Sequence, residues 1–203
     1  MKSSTEEILP IIGTSMGGGF YAGRIRIGEQ VFALIVAPKA EGEHKVTPWN
    51  KSTKSVEGAL SYFDGMANTK AMAEAGSKIA QWALDLRIGG HDDWYLPSHD
   101  ELEVIYRNLK PTTEKNELWG CSGINSSAVP PTYPYTSDAP AQTLAEAFQA
   151  GGEQAFDEIG YWSSTQHAAF SDSAWRQDFD YSNQDYSRND CYYRARAVRR
   201  LPI

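Results

Sequence analysis

The stretch Gly89-Gly90-His91-Asp92-Asp93-Trp94-Tyr95-Leu96-Pro97-Ser98-His99-Asp100-Glu101-Leu102 decides how this chain is read. Ser98 is a good helix N-cap, and Glu101 three residues on completes a capping box in which each side chain serves the other's backbone N–H. Pro97 fixes the backbone just ahead of the cap. Leu102, Ile105, Tyr106 and Leu109 then recur at helical spacing, which predicts a helix with one buried stripe. Trp94, large and carrying a single N–H donor, has the character of a core anchor.

Upstream, Met72, Ile79, Trp82, Ala83 and Leu86 predict one helix from about Thr69 to Arg87, capped by Asn68 and stopped by Gly89-Gly90. Residues 38–66 read as irregular, with Trp49 packed beneath them. Phe20 to Ile27 and Gln30 to Ala37 are β-rich runs around Gly28-Glu29, the pattern of a hairpin. Gly17-Gly18-Gly19 reads as a bend, since a phosphate-cradling loop needs a Lys-Ser/Thr and a helix after it. Downstream, residues 110–140 form a long polar excursion, and a short helix is expected from Thr143 to Ala150. Tyr161 to Thr165, Ala174 to Phe179 and Arg194 to Leu201 are the late strand candidates. Two main helices before an antiparallel meander indicate an α+β fold, with residues 1–16 an extension and 17–203 one domain.

The 203 residues suffice for one sizeable core. A formal net charge of -7 opposes nucleic-acid binding and an electrostatic membrane anchor, both of which need a basic face. No run approaches the roughly 20 apolar residues of a membrane span. Met1 to Glu7 is polar and Pro10 breaks the apolar patch from Ile8 to Ile12, so no signal peptide is read and synthesis in the cytoplasm is expected. Cys121 and Cys191 stand far apart and read as two free thiols.

The opening stretch also resembles the G-x-x-D-W-R-L-P-T-x-x-E-L signature of the C-terminal domain family of the Legionella collagen-like adhesin. Tyr161-Trp162-Ser163-Ser164-Thr165, Ala174-Trp175 and Ala197-Val198-Arg199-Arg200 match that family's closing blocks in order, across roughly residues 66–201. The glycine run with Phe20-Tyr21, and Leu34 to Lys39, look like segments of tailed-phage and prophage proteins. The resemblance implies a C-type-lectin-like fold, shared with formylglycine-generating enzymes and retroelement variable proteins. It also implies that Asp93, Trp94, Leu96, Pro97, Ser98, Glu101, Trp162, Ser163 and Ser164 are architectural. Tyr95 stands where the family has Arg, so a salt bridge at that position is lost.

Catalytic readings find little support. A copper oxidase of the formylglycine-generating type needs two closely spaced cysteines near the C-terminus, and Cys191 has no such neighbour. His44, His91, His99 and His167 are scattered, and a turn at Pro97 separates the close pair His91 and His99. Ser163 and Ser164 lie in a strand pattern without the G-x-S-x-G elbow of a serine nucleophile. Acid pairs such as Asp92 with Asp93, or Asp185 with Asp190, arise freely among 26 acidic residues. The E-P-N, Q-P-D and W-N-D strings of calcium-dependent lectins do not occur. The chain is therefore read as a non-enzyme with no cofactor or metal.

Residues 178–193 carry the binding expectation. Their Tyr, Ser, Asn and Asp content is that of a paratope, where tyrosines give wide contacts at low entropic cost. The named contacts are Tyr181, Asn183, Asp185, Tyr186, Arg188, Asn189 and Tyr192, with Trp175 and Arg176 as a floor. The same residues also fit a solvated strand pair with ordinary turns. Period-two spacing places Arg194, Arg196 and Arg200 on one face, where they meet either an anionic ligand or the chain's own acids. The expected partner is a cell-surface glycan or protein, met by an adhesin-like or phage tail-associated module, in which symmetric copies would add avidity. The rival is a structural virion protein without a host ligand.

Overall fold

The computed structural model describes residues 10–118 and 122–203. The expected hairpin forms as β2 (Gly19–Ile27) and β3 (Gln30–Val36), registered from Phe20 opposite Val36 to Ile27 opposite Gln30. Gly28 takes φ 60°, the left-handed value that a two-residue hairpin turn requires. β1 (Ser15–Met16) pairs along one side of β2, and Gly17 and Gly18 make the bend between them. Ser15 and Met16, read from sequence as extension, thus lie within the first sheet, and Ile12 packs on the core. Residues 1–9 of the expected extension are outside the described residues.

A helix, α1 (Lys39–Gly42), and a strand, β4 (Glu43–Thr47), follow in the segment expected to be irregular. The rest of that segment loops over Trp49, which is buried and donates its indole N–H to the Ser163 carbonyl at 2.8 Å. The single helix expected over 69–87 is two, α2 (Gly65–Glu74) and α3 (Lys78–Asp85). Gly76 at φ 86° ends α2; Gly76 N–H bonds the Ala73 carbonyl and Ser77 N–H bonds the Met72 carbonyl, closing a Schellman motif. The apolar spacing runs on through this break, which is why it reads as one helix. Asp64 is the N-cap, accepting from Ala67 N–H, while Asn68 sits buried inside α2 and bonds Ser61 and Thr165.

α4 (His99–Leu109) forms as its capping box predicts. The expected helix at 143–150 shrinks to a 3-10 turn, Glu146–Phe148, whose Phe148 enters the core. The remaining strands are β5 (Gly160–Gln166), β6 (Ser173–Asp178), β7 (Gln184–Arg188), β8 (Tyr193–Arg196) and β9 (Val198–Pro202). They complete two sheets, ordered β1-β2-β3-β9 and β4-β8-β5-β6-β7. The antiparallel meander is β5-β6-β7, and β8 joins β5 in parallel.

The late strand expected from Arg194 to Leu201 is split between the sheets. At Ala197 the chain leaves the second sheet for the first, with its carbonyl accepting from Ala37 N–H and its N–H donating to Gly42. Arg200 therefore does not share a face with Arg194 and Arg196, and of the two expected outcomes for these arginines the structure shows pairing with the chain's own acids. Arg194 pairs with Glu43 and Asp157, at 3.1 and 2.7 Å, and Arg200 with Asp64 at 3.0 Å. Arg199 meets both oxygens of Asp93, at 2.6 and 2.9 Å. Arg196 is fully buried and donates to the Ala37 and Gln154 carbonyls. Burial pulls its pKa down to about 10, which leaves it cationic at neutral pH.

α4 packs against β2, β5 and β6, so its stripe fills the space between the sheets. Leu102, Ile105, Tyr106 and Leu109 meet Leu34 and Val36 from the first sheet and Tyr161 and Phe179 near the second. Each such side chain contributes about 1.5–3 kcal/mol on burial. The result is an α+β fold with an N-terminal hairpin.

The N-terminus of α4 carries a buried acid. Glu101 accepts from the Tyr95 hydroxyl at 2.6 Å and from Ser98 N–H at 2.8 Å, with Arg200 at 3.8 Å. Tyr95, standing where the family signature has Arg, thus gives that acid a neutral hydrogen-bond donor. Burial pushes the Glu101 pKa from 4.5 up to about 7, against the lowering effect of these bonds. The folded chain then holds a proton that the unfolded chain releases, so stability is greatest below about pH 4.5 from this group and is lost as pH rises through about 7. Glu101→Gln can keep the box, its carbonyl accepting from Ser98. Urea melts of the variant between about pH 5 and about pH 8 should lack the decline seen in the parent chain.

Candidate functional site

β6 and β7 pair residue for residue, Trp175 opposite Tyr186 and Arg176 opposite Asp185. Alternation along a strand sends neighbouring side chains to opposite faces. Trp175 and Tyr186 therefore share one face, while Arg176, Asp178, Asp185 and Ser187 share the other. On that second face the Arg176 guanidinium binds Asp178, Asp185 and Ser187, at 2.5, 3.1 and 3.0 Å, and lies over the Tyr193 ring. Arg176 and Asp185 are thus bonded to each other, and Arg176 lies on the face opposite Trp175, its expected companion in the floor.

The remaining members of the expected contact set also part company. Tyr181 lies at the tip of the β6-β7 hairpin and Tyr192 beyond the far end of β7, both more than half exposed. The five residues of β7 place roughly 17 Å between those ends. Asn189 is buried, and its amide donates to the Ser52 and Ser171 carbonyls, fastening two loops. Asn183 gives its backbone carbonyl to Gln177 and Asp178 N–H, and Arg188 forms an exposed pair with Asp190. Of the set, Arg176 and Asp185 meet on one face of the hairpin and Trp175 and Tyr186 on the other.

What they meet there comes from other parts of the chain. The Trp175 ring has four aromatic neighbours, with centroids at 5.0 Å for His99, 5.1 Å for His167, 5.6 Å for Tyr186 and 6.0 Å for Tyr62. Phe170 extends the row by stacking on His167 at 4.8 Å and Tyr186 at 5.5 Å. Tyr62, Phe170 and Tyr186 are 38%, 49% and 39% exposed, so the row is open to solvent along its length. The rings touch one another and leave no cage between them; a partner must lie on the row.

Local structure fixes each member. Tyr62 is held by its carbonyl, which accepts from Asp100 N–H at 2.8 Å. His99, the first residue of α4, bonds the Asp100 carboxylate at 2.9 Å and lies 3.4 Å from the Gln184 amide. His167 and Phe170 belong to the loop between β5 and β6. The Trp175 indole nitrogen is buried without a well-formed hydrogen bond and faces the Tyr62 hydroxyl. Burial raises the Tyr62 phenol pKa and lowers that of His167.

The outer edge of β7 is closed. Gln184 N–H bonds the Ser122 hydroxyl, Tyr186 N–H bonds the Asp185 carboxylate, and the Arg188 carbonyl accepts from Cys191. An added strand finds few free backbone groups here, so recognition falls to side chains.

Sequence reasoning missed Tyr62, His99, His167 and Phe170 as one group. Two histidines and the Tyr62-Phe63 pair were visible signals, but nothing local says that they converge on Trp175. His44 instead edges onto Trp82, and His91 sits in the turn after Ile88. Among the described residues no three His, Cys, Asp or Glu side chains gather as a metal site. Cys191 is a half-buried free thiol, and its relation to Cys121 lies outside the described residues.

The signature side chains sit at joints instead of at the open row. Trp94 and Trp162 are buried and donate to the Ile88 and Thr47 carbonyls, Leu96 is buried, and Ser164 N–H bonds the Pro97 carbonyl at 2.7 Å. Ser163 donates its hydroxyl to the Trp175 carbonyl at 2.9 Å, tying the row's central strand to β5. Stability measurements separate the two kinds of residue in 178–193. Asn189→Ala should cost about 1–3 kcal/mol by leaving loop carbonyls unpaired. Tyr181→Ala and Tyr192→Ala should each stay within about 0.5 kcal/mol in urea melts. A neutral Asn189→Ala would contradict this division.

No curated protein matches the chain. The family model described as the Lcl C-terminal domain matches residues 43–199, beginning well ahead of the blocks that the sequence motifs marked. That match takes in β4, all three long helices and every strand of the second sheet. The chain belongs to the Lcl C-terminal domain family, that of the Legionella collagen-like adhesin.

Proposed function

We propose that this adhesin-like domain is a non-enzymatic recognition module that takes a cell-surface glycan on the row Tyr62, His99, Trp175, His167, Tyr186 and Phe170. The observation that carries the reading is Trp175, a half-buried indole surrounded by four other rings on an open surface. Aromatic faces of this kind stack on the C–H faces of pyranose rings. The Gln184 amide and the His99–Asp100 pair stand beside them, held by bonds to Gly123 N–H and the Ser127 hydroxyl, and fix the polar border of the row. Two features favour a neutral sugar over a sulfated or phosphorylated one. The net charge is -7, and the C-terminal arginines are committed to internal partners.

The row lies by β7, at one edge of the second sheet, while β1 is the edge of the first. Attachment through the N-terminal strand to a phage particle or a bacterial surface protein would use a different sheet from the one that carries Trp175 and Tyr186. A virion-bound or adhesin-borne placement is therefore part of the proposal.

The reading is tested with fluorescently labelled protein on a panel of bacterial cells and immobilised neutral glycans. Trp175→Ala with Tyr186→Ala should weaken binding by about tenfold or more, the loss of about 1.4 kcal/mol. Tyr181→Ala with Tyr192→Ala should leave it unchanged. Equal binding by the folded Trp175/Tyr186 variant and the parent chain would reject the row as the site.

A further inference from the structure

The loop between β5 and β6 carries a hydrogen-bond arrangement that the binding reading does not use. His167 Nδ1 accepts two backbone N–H groups, from Ala169 and Phe170, each at 3.1 Å. The loop is closed further by His167 N–H to the Ser173 carbonyl and Ser173 N–H to the Phe170 carbonyl, at 2.9 and 3.0 Å. Its product is the position of Phe170, a half-exposed ring stacked on His167 and Tyr186 at interplanar angles of 24° and 26°. We infer that this loop is an acid-released latch, in which neutral His167 holds Phe170 on the aromatic row and protonation at Nδ1 frees it.

The chemistry follows from what a backbone amide can do. An N–H only donates, so two of them on one nitrogen require its lone pair to be free. The neutral ring then carries its proton on Nε2. An imidazolium has donors on both nitrogens, so protonation sets Nδ1–H against two N–H groups and breaks both bonds together. In a loop this short those bonds stand in for the side-chain acceptor of an Asx-type turn.

Among the described residues no carboxylate pairs with the charged ring, and its aromatic neighbours offer only a cation–π attraction in place of the two lost hydrogen bonds. β6 presents Trp175 to it, β7 presents Tyr186, a titratable phenol, and the loop itself presents Phe170. The charged groups on the flanking segments are engaged elsewhere, Asp172 with the Ser173 hydroxyl and Arg188 with Asp190. His99 and Asp100 of α4 bond each other, and His99 contacts Trp175 at 5.0 Å. Burial lowers the His167 pKa from the usual 6.5. The folded ring thus takes a proton less readily than a free one, so the closed loop is favoured at neutral pH and lost as pH falls through that lowered value. If the row binds as proposed above, the latch makes its Phe170 end complete at neutral pH and open in acid. The latch itself does not depend on that reading.

The test is a nuclear magnetic resonance titration of the labelled chain from about pH 7.5 to about pH 5. The His167 ring and the Ala169 and Phe170 amides should move with one midpoint, and the protection of both amides against hydrogen exchange should fall about tenfold. His167→Asn keeps a side-chain acceptor for the same N–H groups and cannot titrate in this range. It should fold, hold the loop closed and show no acid response. Amides that stay unmoved while His167 titrates would overturn the latch, as would an acid response unchanged in His167→Asn. None of these measurements uses a ligand, so a failure of glycan binding and a failure of the latch are read separately.

Discussion

A helix N-terminus buried between two sheets must find partners for N–H groups that have none within the helix, and the architecture here follows from how α4 meets that requirement. His99 N–H goes to the Thr165 hydroxyl on β5, Asp100 N–H to the Tyr62 carbonyl, and Glu101 N–H to the Ser98 hydroxyl. Ser98 N–H returns to the Glu101 carboxylate. Three separate parts of the chain are thereby drawn to one point. Any of these donors left bare in the interior would cost on the order of 1–3 kcal/mol. The same bonds bring Tyr62 and His99, in contact at 4.7 Å, against the Trp175 ring, so the requirement that secures the fold also places two of the six rings of the row.

Charge is used inwardly. The chain is acidic overall, yet its C-terminal arginines are ties between elements: Arg194 to β4 and the 157 region, Arg196 into buried carbonyls, Arg199 to Asp93, and Arg200 to the α2 cap. Arg196 and Glu43 are both nearly solvent-free, so the interior is specified partly by polar geometry as well as by apolar volume. Removing one partner of such a group leaves the other stranded, which is far more damaging than the modest net worth of the intact pair. These C-terminal arginines are therefore held by internal partners and are not offered to a polyanion.

Much of the fold was legible because its signals are local. The capping box at Ser98 and Glu101 needs only residues three apart, and the Gly28-Glu29 hairpin needs only a turn and two β-rich runs. The buried tryptophans follow from size and the need to place one N–H. Where a local signal competed with a periodic one, the reading failed: Gly76 ends α2, but Met72, Ile79 and Trp82 keep the same apolar phase across the gap. The site was less legible. Tyrosine-rich composition in 178–193 marked the β6-β7 hairpin, but composition carries no information about which face of β7 a residue occupies or whether its side chain is already committed, as with Asp185 and Asn189.

By itself, then, the sequence determined the α+β class, the position and start of α4, the hairpin and the family. Each of these rests on interactions between residues close in the chain or on a motif of fixed spacing. Only the tertiary structure decided that residues 194–201 divide between two sheets at Ala197, that the basic cluster is consumed by internal acids, and that His99 and His167 flank one indole. Those outcomes depend on contacts between segments far apart in sequence, where strand order, register and competition for buried hydrogen bonds select the neighbours.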